Sequence, residues 1–163
     1  MKKIKLEKLT KESFAPFGCF YDMINPDGTA ETGDFHSFYP DRLPVYFDKK
    51  IAFSPLVVNR LDPIKIGRIE YHEDTPEIIL PLTDDAIIHV ASPSKEVPTA
   101  EQTKAFLVPK NTMVKLKPFV WHYAPLPATN EKITVIIGLP VLTYKNNCIV
   151  VDLKEDEQFI IEK

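Results

Sequence analysis

The chain has 163 residues, 44% of them hydrophobic and 26% charged, with a formal net charge of −3. That length suits a single domain, residues 1–163, whose one core needs no staple, and the composition excludes a disordered chain. The interspersed signs offer no basic stripe for phosphates and no apolar run long enough for a membrane helix, so neither nucleic acid nor membrane is an expected partner.

Met1 to Glu7 starts basic but is broken by charges, so it lacks the apolar stretch of a signal peptide, and a cytoplasmic location is expected. Fifteen prolines against five glycines, spread along the whole chain, forbid long helices while permitting strand ends, edges and turns. An all-β fold follows. The spacing predicts one short helix over Lys11 to Phe17, capped by Thr10 and closed by Pro16 and Gly18. Cys19 to Met23 reads as a strand, and Asn25-Pro26-Asp27-Gly28 as a turn leading into a polar loop through Asp34.

Strands are predicted at Val45 to Phe47, Ile51 to Leu61 and Ile64 to His72, the last with Ile64, Ile66, Arg68, Glu70 and His72 on one face. Glu77 to Leu82 and Ala86 to Ala91 read as apolar strands joined by a hairpin turn at Thr83-Asp84-Asp85, which makes the expected pairing mostly sequential. Ser92 to Glu101 reads as a long exposed loop. Further strands are predicted at Lys104 to Val108, Met113 to Lys117, Val120 to Pro125, Ile133 to Leu139 and Cys148 to Leu153, and the tail from Glu155 as an edge strand or a short helix. Many short strands at this spacing point to a sandwich or barrel. Cys19 and Cys148, far apart and outside any C-x-x-C spacing, read as buried thiols.

The ionisable residues of interest lie in strand-like runs: Glu70-Tyr71-His72 followed by Glu77, then Lys115-Leu116-Lys117 followed by Trp121-His122. Alternation puts Glu70 and His72 on one face and Tyr71 on the other, which is how a small barrel lines a pocket with an acid and a base. Each residue also has an ordinary structural reading. Glu70 can pair with Arg68 or Lys65 at the surface, Lys115 and Lys117 can form a solvated edge, Trp121 can be packing, and His122 a core imidazole bonded to backbone. His89 and His36 have no acidic partner at a telling spacing and stay outside the candidate site. No nucleophile elbow and no Gly-rich phosphate loop is present, which disfavours covalent and nucleotide chemistry.

The stretch from Asn59-Arg60 through Ile69-Glu70-Tyr71-His72 to Glu77 and Leu80-Pro81, with Ala105-Phe106-Leu107 and Val120-Trp121-His122, resembles the ureidoglycolate lyase family, formerly called ureidoglycolate hydrolases. The opening Leu9 to Gly18 and the late pair Asn147-Cys148 are similar to that family as well. The chain departs from its pattern in several places. Glu77 stands where an amide is usual, Lys115-Leu116-Lys117 replaces an Asn-Tyr stretch, Tyr123 replaces a second histidine, and Ile136 to Pro140 replaces a strand ending in Asp-Arg.

The resemblance implies a cupin-type β-barrel or jelly roll with a short N-terminal helix, a homodimer, and a carbon–nitrogen lyase of allantoin degradation in purine catabolism. Its substrate would be a small anionic metabolite, ureidoglycolate, cleaved to glyoxylate and urea. Such a carbinolamine needs a base for the hydroxyl proton, an acid for the departing nitrogen and a cation for the carboxylate, and no redox cofactor. Glu70, His72 and His122 are the implied catalytic group; Arg60, Lys115, Lys117, Trp121 and Tyr123 the implied substrate contacts. Cupins often hold a divalent ion, and Glu70, His72, Glu77 and His122 fall where the ligands would be, in a set that suits Zn, Mn, Fe or Ni. Two rivals use the same residues: a metal-dependent cupin isomerase or epimerase of sugars or sugar acids, and a non-catalytic small-molecule-binding cupin. Phe35, Phe38, Tyr39 and Tyr46 are the candidates for a dimer interface.

Overall fold

The computed structural model describes all residues, 1–163. In chain order the strands are β1 (Lys2–Lys8), β2 (Gly18–Asp22), β3 (Glu31–Thr32), β4 (Ser37–Phe38), β5 (Ile51–Asn59), β6 (Lys65–Ile66), β7 (Arg68–Tyr71) and β8 (Glu77–Pro81). They continue as β9 (Ala86–Ala91), β10 (Thr103–Val108), β11 (Thr112–Leu116), β12 (Leu126–Pro127), β13 (Lys132–Pro140), β14 (Ile149–Asp152) and β15 (Phe159–Glu162). Helix is confined to two single turns, α1 (Lys11–Phe14) and α2 (Thr143–Asn146), and a 3-10 turn at Ala100–Gln102. The fold is all-β, as predicted.

Six strands form one sheet in the order β12-β9-β10-β1-β15-β6, and five form a second in the order β2-β11-β8-β13-β5. One buried cluster joins the two sheets face to face: Ile79, Val114, Ile133 and Val135 of the five-stranded sheet meet Ile88, Val90, Phe106 and Val108 of the six-stranded one. Phe14, on α1, packs edge-on against Phe106 there. A second cluster gathers Ile4, Ile87, Ala105 and Ile161 with Ile69, Trp121 and Leu153. Strand β9 divides its side chains between the two, with Ala86, Ile88 and Val90 in one and Ile87 and Ala91 in the other, and is therefore buried on both faces.

Thr10 caps α1 as expected, its hydroxyl accepting from the Ser13 N–H at 3.1 Å, but the helix stops at Phe14, where the prediction ran it to Phe17. The Thr83-Asp84-Asp85 connection is not a hairpin: β8 and β9 lie in different sheets, and Asp84 is buried, accepting from the amides of Asp85, Thr129 and Asn130. Pairing is consequently not sequential. Strand β1, read from sequence only as a charged start, lies parallel between β10 and β15, and the tail is an inner strand.

The predicted strand Ile64 to His72 splits at Gly67 into β6 and β7, which pair with β15 and β14 respectively. The break shifts the phase, so Ile64 and Ile66 are buried before it and Ile69 after it. Val45 to Phe47 forms no strand, and Val120 to Pro125 contributes only isolated bridges. The two cysteines are free thiols, Cys19 exposed and Cys148 half-buried, where sequence suggested burial.

Candidate active site

The strongest local constraint is a backbone exchange. The Glu70 N–H donates to the His122 carbonyl at 2.6 Å and the His122 N–H returns to the Glu70 carbonyl at 2.8 Å, while Phe119 N–H donates to the His72 carbonyl at 2.7 Å. The residues around His122 thus run antiparallel to the end of β7, and residues directly opposite in such a pair project to the same side. One ligand atom each from Glu70, His72 and His122 lies within 4.8 Å of the others.

Glu77, at the start of β8, anchors this group from the facing sheet. Its Oε2 is 2.8 Å from His122 Nε2 and 3.0 Å from His72 Nε2. The other ring nitrogens are tied to backbone: His122 Nδ1–H donates to the Val120 carbonyl at 2.8 Å and His72 Nδ1–H to the Asn147 carbonyl at 2.7 Å. Carbonyls only accept, so both Nδ1 atoms carry hydrogens and both Nε2 atoms face inward. Burial alone would lower the His122 pKa, but the charges of Glu77 and Glu70 and the Glu77 hydrogen bond overcome it and raise the value to about 9. Burial likewise opposes ionisation of Glu77, and the two rings outweigh it, holding the carboxyl at about 2. The pair is a buried imidazolium–carboxylate.

Glu70 is the more accessible carboxylate. Its Oε1 lies 3.9 Å from His122 Nε2, and its Oε2 accepts from the Cys148 thiol at 3.1 Å. Burial, then the Glu70 contact, pushes that thiol up to about 12, so Cys148 serves as a neutral donor and not as a nucleophile.

A cavity of about 450 Å³ opens on this cluster, lined by Glu70, His72, Glu77, Tyr123 and Cys148 on one side. The rest of its lining, next to Glu77 in the same sheet, is mostly apolar, with Ala52 and Leu56 of β5 and Ile137, Leu139, Val141 and Leu142 in and after β13, interrupted by Ser54, Thr143 and Tyr144. His122 sits just beneath the lining, 3% exposed.

The structure therefore brings together Glu70, His72, Glu77 and His122, with Tyr123 beside them, and separates the other expected contacts. Lys115 and Lys117 project from the outer face of β11, because Val114 and Leu116 take the interior; their ammonium groups donate to the carbonyls of Pro44 and Ala15, each at 2.7 Å. Arg60 donates to the Thr129 carbonyl at 2.9 Å, away from the cavity. Trp121 alternates away from His122, packs 4.4 Å from Tyr71 and donates to Ser94 Oγ at 3.0 Å. No lysine or arginine lines the cavity. Cys148 and the Asn147 carbonyl were absent from the expected site; their only sequence signal was the family-like Asn-Cys pair.

The protein family described as Ureidoglycolate lyase matches residues 1–161 of this chain. The chain belongs to the ureidoglycolate lyase family, a family of carbon–nitrogen lyases. It is 30% identical to the ureidoglycolate lyase of Pseudomonas savastanoi pv. phaseolicola over 91% of this chain and 88% of that protein. With the enzyme of the same name from Pseudomonas paraeruginosa it shares 29% identity over 99% of this chain and 97% of that one. Among solved structures, RmlC from Streptococcus suis in complex with dTDP-D-xylose overlaps with a TM-score of 0.39, at 10% identity, over 60% of this chain and 50% of that chain. Within this lyase, Glu70, His72 and His122 could hold a divalent transition metal: both rings present Nε2 with Nδ1 held by a carbonyl, and a metal there would displace the Nε2 proton that His122 shares with Glu77.

Proposed function

We propose that this lyase cleaves ureidoglycolate to glyoxylate and urea in the Glu70–His72 cavity. The reading is carried by one observation: residues remote in sequence, Glu70, His72, Glu77 and His122, converge at the floor of a single cavity. Glu70 is the base that takes the hydroxyl proton, since its carboxylate is the accessible one. His72, whose Nε2 faces the cavity floor, delivers a proton to the departing urea nitrogen as the carbonyl forms. The His122 imidazolium, pinned by Glu77 beneath the lining, neutralises that buried carboxylate, so that Glu70 is left as the unpaired base facing the substrate.

Glu70, His72 and His122 are the residues that would hold a divalent ion. Such an ion, when bound, supplies a Lewis-acid contact for the carboxylate or hydroxyl oxygen. Elemental analysis of the purified protein, with and without the His72→Ala substitution, tests this occupancy. A homodimer is part of the same proposal, supported by the exposed Phe35, Phe38 and Tyr46, while Tyr39 is half-buried. Sedimentation of the pure chain tests it. For the activity itself, the pure protein is incubated with ureidoglycolate and glyoxylate is followed; release no faster than the spontaneous decay of ureidoglycolate defeats the assignment.

A further inference from the structure

The cavity is built for more than a three-carbon substrate. At about 450 Å³ it falls in the range of roughly 300 to 1,000 Å³ that holds drug-sized ligands. Strand register explains its greasy wall. Ala52 pairs with Leu139, Ser54 with Ile137 and Leu56 with Val135, so the inner faces of β5 and β13, apolar except at Ser54, continue the core out to the cavity. Gly138 pairs with Ile78, and the same register carried one residue further sets Leu139 beside Glu77. Beyond β13, Val141 and Leu142 stand 49% and 43% exposed at the mouth, apolar surface that no part of this chain covers. No lysine or arginine faces this wall across the cavity.

We propose that the physiological substrate is a carbinolamine bearing an apolar substituent, seated against Ala52, Leu56, Ile137, Leu139, Val141 and Leu142 while its reacting end meets Glu70 and His72. This rests on the reading of that cluster as the centre of carbon–nitrogen cleavage. The step stays balanced without oxidant or reductant. The hydroxyl proton goes to Glu70, the oxygen electrons form the carbonyl, the carbon–nitrogen pair leaves on nitrogen, and His72 protonates that nitrogen. The products are a 2-oxo acid and a urea, one of which carries the apolar group.

Two series of synthetic substrates test the idea. In one, N-alkylureas condensed with glyoxylate place the substituent on the distal nitrogen; in the other, urea condensed with longer 2-oxo acids places it on the carbinol carbon. The expected result is a kcat/KM that rises in at least one series by about fourfold for each methylene buried, and a Leu139→Ser, Val141→Ser double variant that flattens the rise. A flat or falling dependence in both series, with ureidoglycolate itself cleaved, overturns the apolar seat and leaves the cleavage centre standing. If no member of either series is cleaved, the cleavage centre fails, and calorimetry with N-butylurea and urea decides the wall separately. Tighter binding of N-butylurea, lost in the double variant, supports the seat; equal binding overturns it.

Discussion

Replacing His89 with leucine is expected to stabilise the protein, by a margin that widens as the pH falls. His89 stands in the doubly buried strand β9, 1% exposed, and neither of its ring nitrogens is bonded to a protein group. Its ring lies 6.1 Å from that of Phe159. Burial first, and the charge of His122 second, lower its pKa from 6.5 to about 3. Above pH 6.5 the folded and unfolded chains both hold this ring neutral, so its contribution is level there. Between 6.5 and about 3 the unfolded chain binds a proton that the folded one refuses, and stability drops by about 1.4 kcal/mol per pH unit.

By about pH 4.5 the accumulated loss is about 2.7 kcal/mol. Leucine abolishes that slope. It also removes two buried polar atoms of the kind that cost about 1 to 3 kcal/mol each when left without a partner. Urea unfolding of both proteins from about pH 8 to about pH 4.5 gives the difference curve, in which the carboxylates common to both cancel. A difference that does not change with pH refutes the argument, as does a variant less stable than the parent at neutral pH.

The remaining expectations concern the site. In chelator-treated protein, His122 contributes stability that is full below pH 6.5 and lost as the pH rises through about 9, and Glu77 stability that is full above 4.5 and lost as the pH falls through about 2. Glu77→Gln therefore removes the alkaline decline and lowers stability by about 3 to 5 kcal/mol by breaking a buried pair; thermal unfolding against pH reads both. Glu70→Gln is expected to lower kcat about 10²- to 10⁴-fold with the circular dichroism spectrum unchanged, and retention of full activity removes Glu70 from the base role. Lys115→Ala, Lys117→Ala and Arg60→Ala are expected to leave kcat/KM for ureidoglycolate unaltered, because their cationic groups bond backbone carbonyls outside the cavity.

What could be read from sequence followed from locality. Glu70 and His72 belong to one short strand end, so period-two alternation was enough to put them on one face, and the Trp121-His122 pair carried the same information for its own segment. That the two segments meet through paired backbone bonds had no local signature. The lysines show the opposite case: Val114 and Leu116 alternate with Lys115 and Lys117, so the apolar pair had already claimed the interior. Gly67 carried the phase break between β6 and β7, invisible to a reading that took Ile64 to His72 as one strand. The parallel pairing of β1 with β10 and β15 joins residues from opposite ends of the chain, and nothing in Lys2 to Lys8 announces it beyond the alternating Ile4 and Leu6. Cys148 and Asn147 act through one thiol and one carbonyl, groups whose role depends on where the following strand is led.

Glu77 explains how His122 stays protonated in a buried site. On the inner face of the five-stranded sheet it is flanked by Leu116 through the β8–β11 register and by the apolar residues of β13. An ionised carboxylate buried there is costly unless paired, and both Nε2 atoms converge on the same oxygen to pair it. An amide at this position would carry no charge and could not hold His122 protonated against its burial. With Glu in place, the cation sits under the cavity floor, fixed by Val120 and Glu77, and the pair adds no net charge to the cavity.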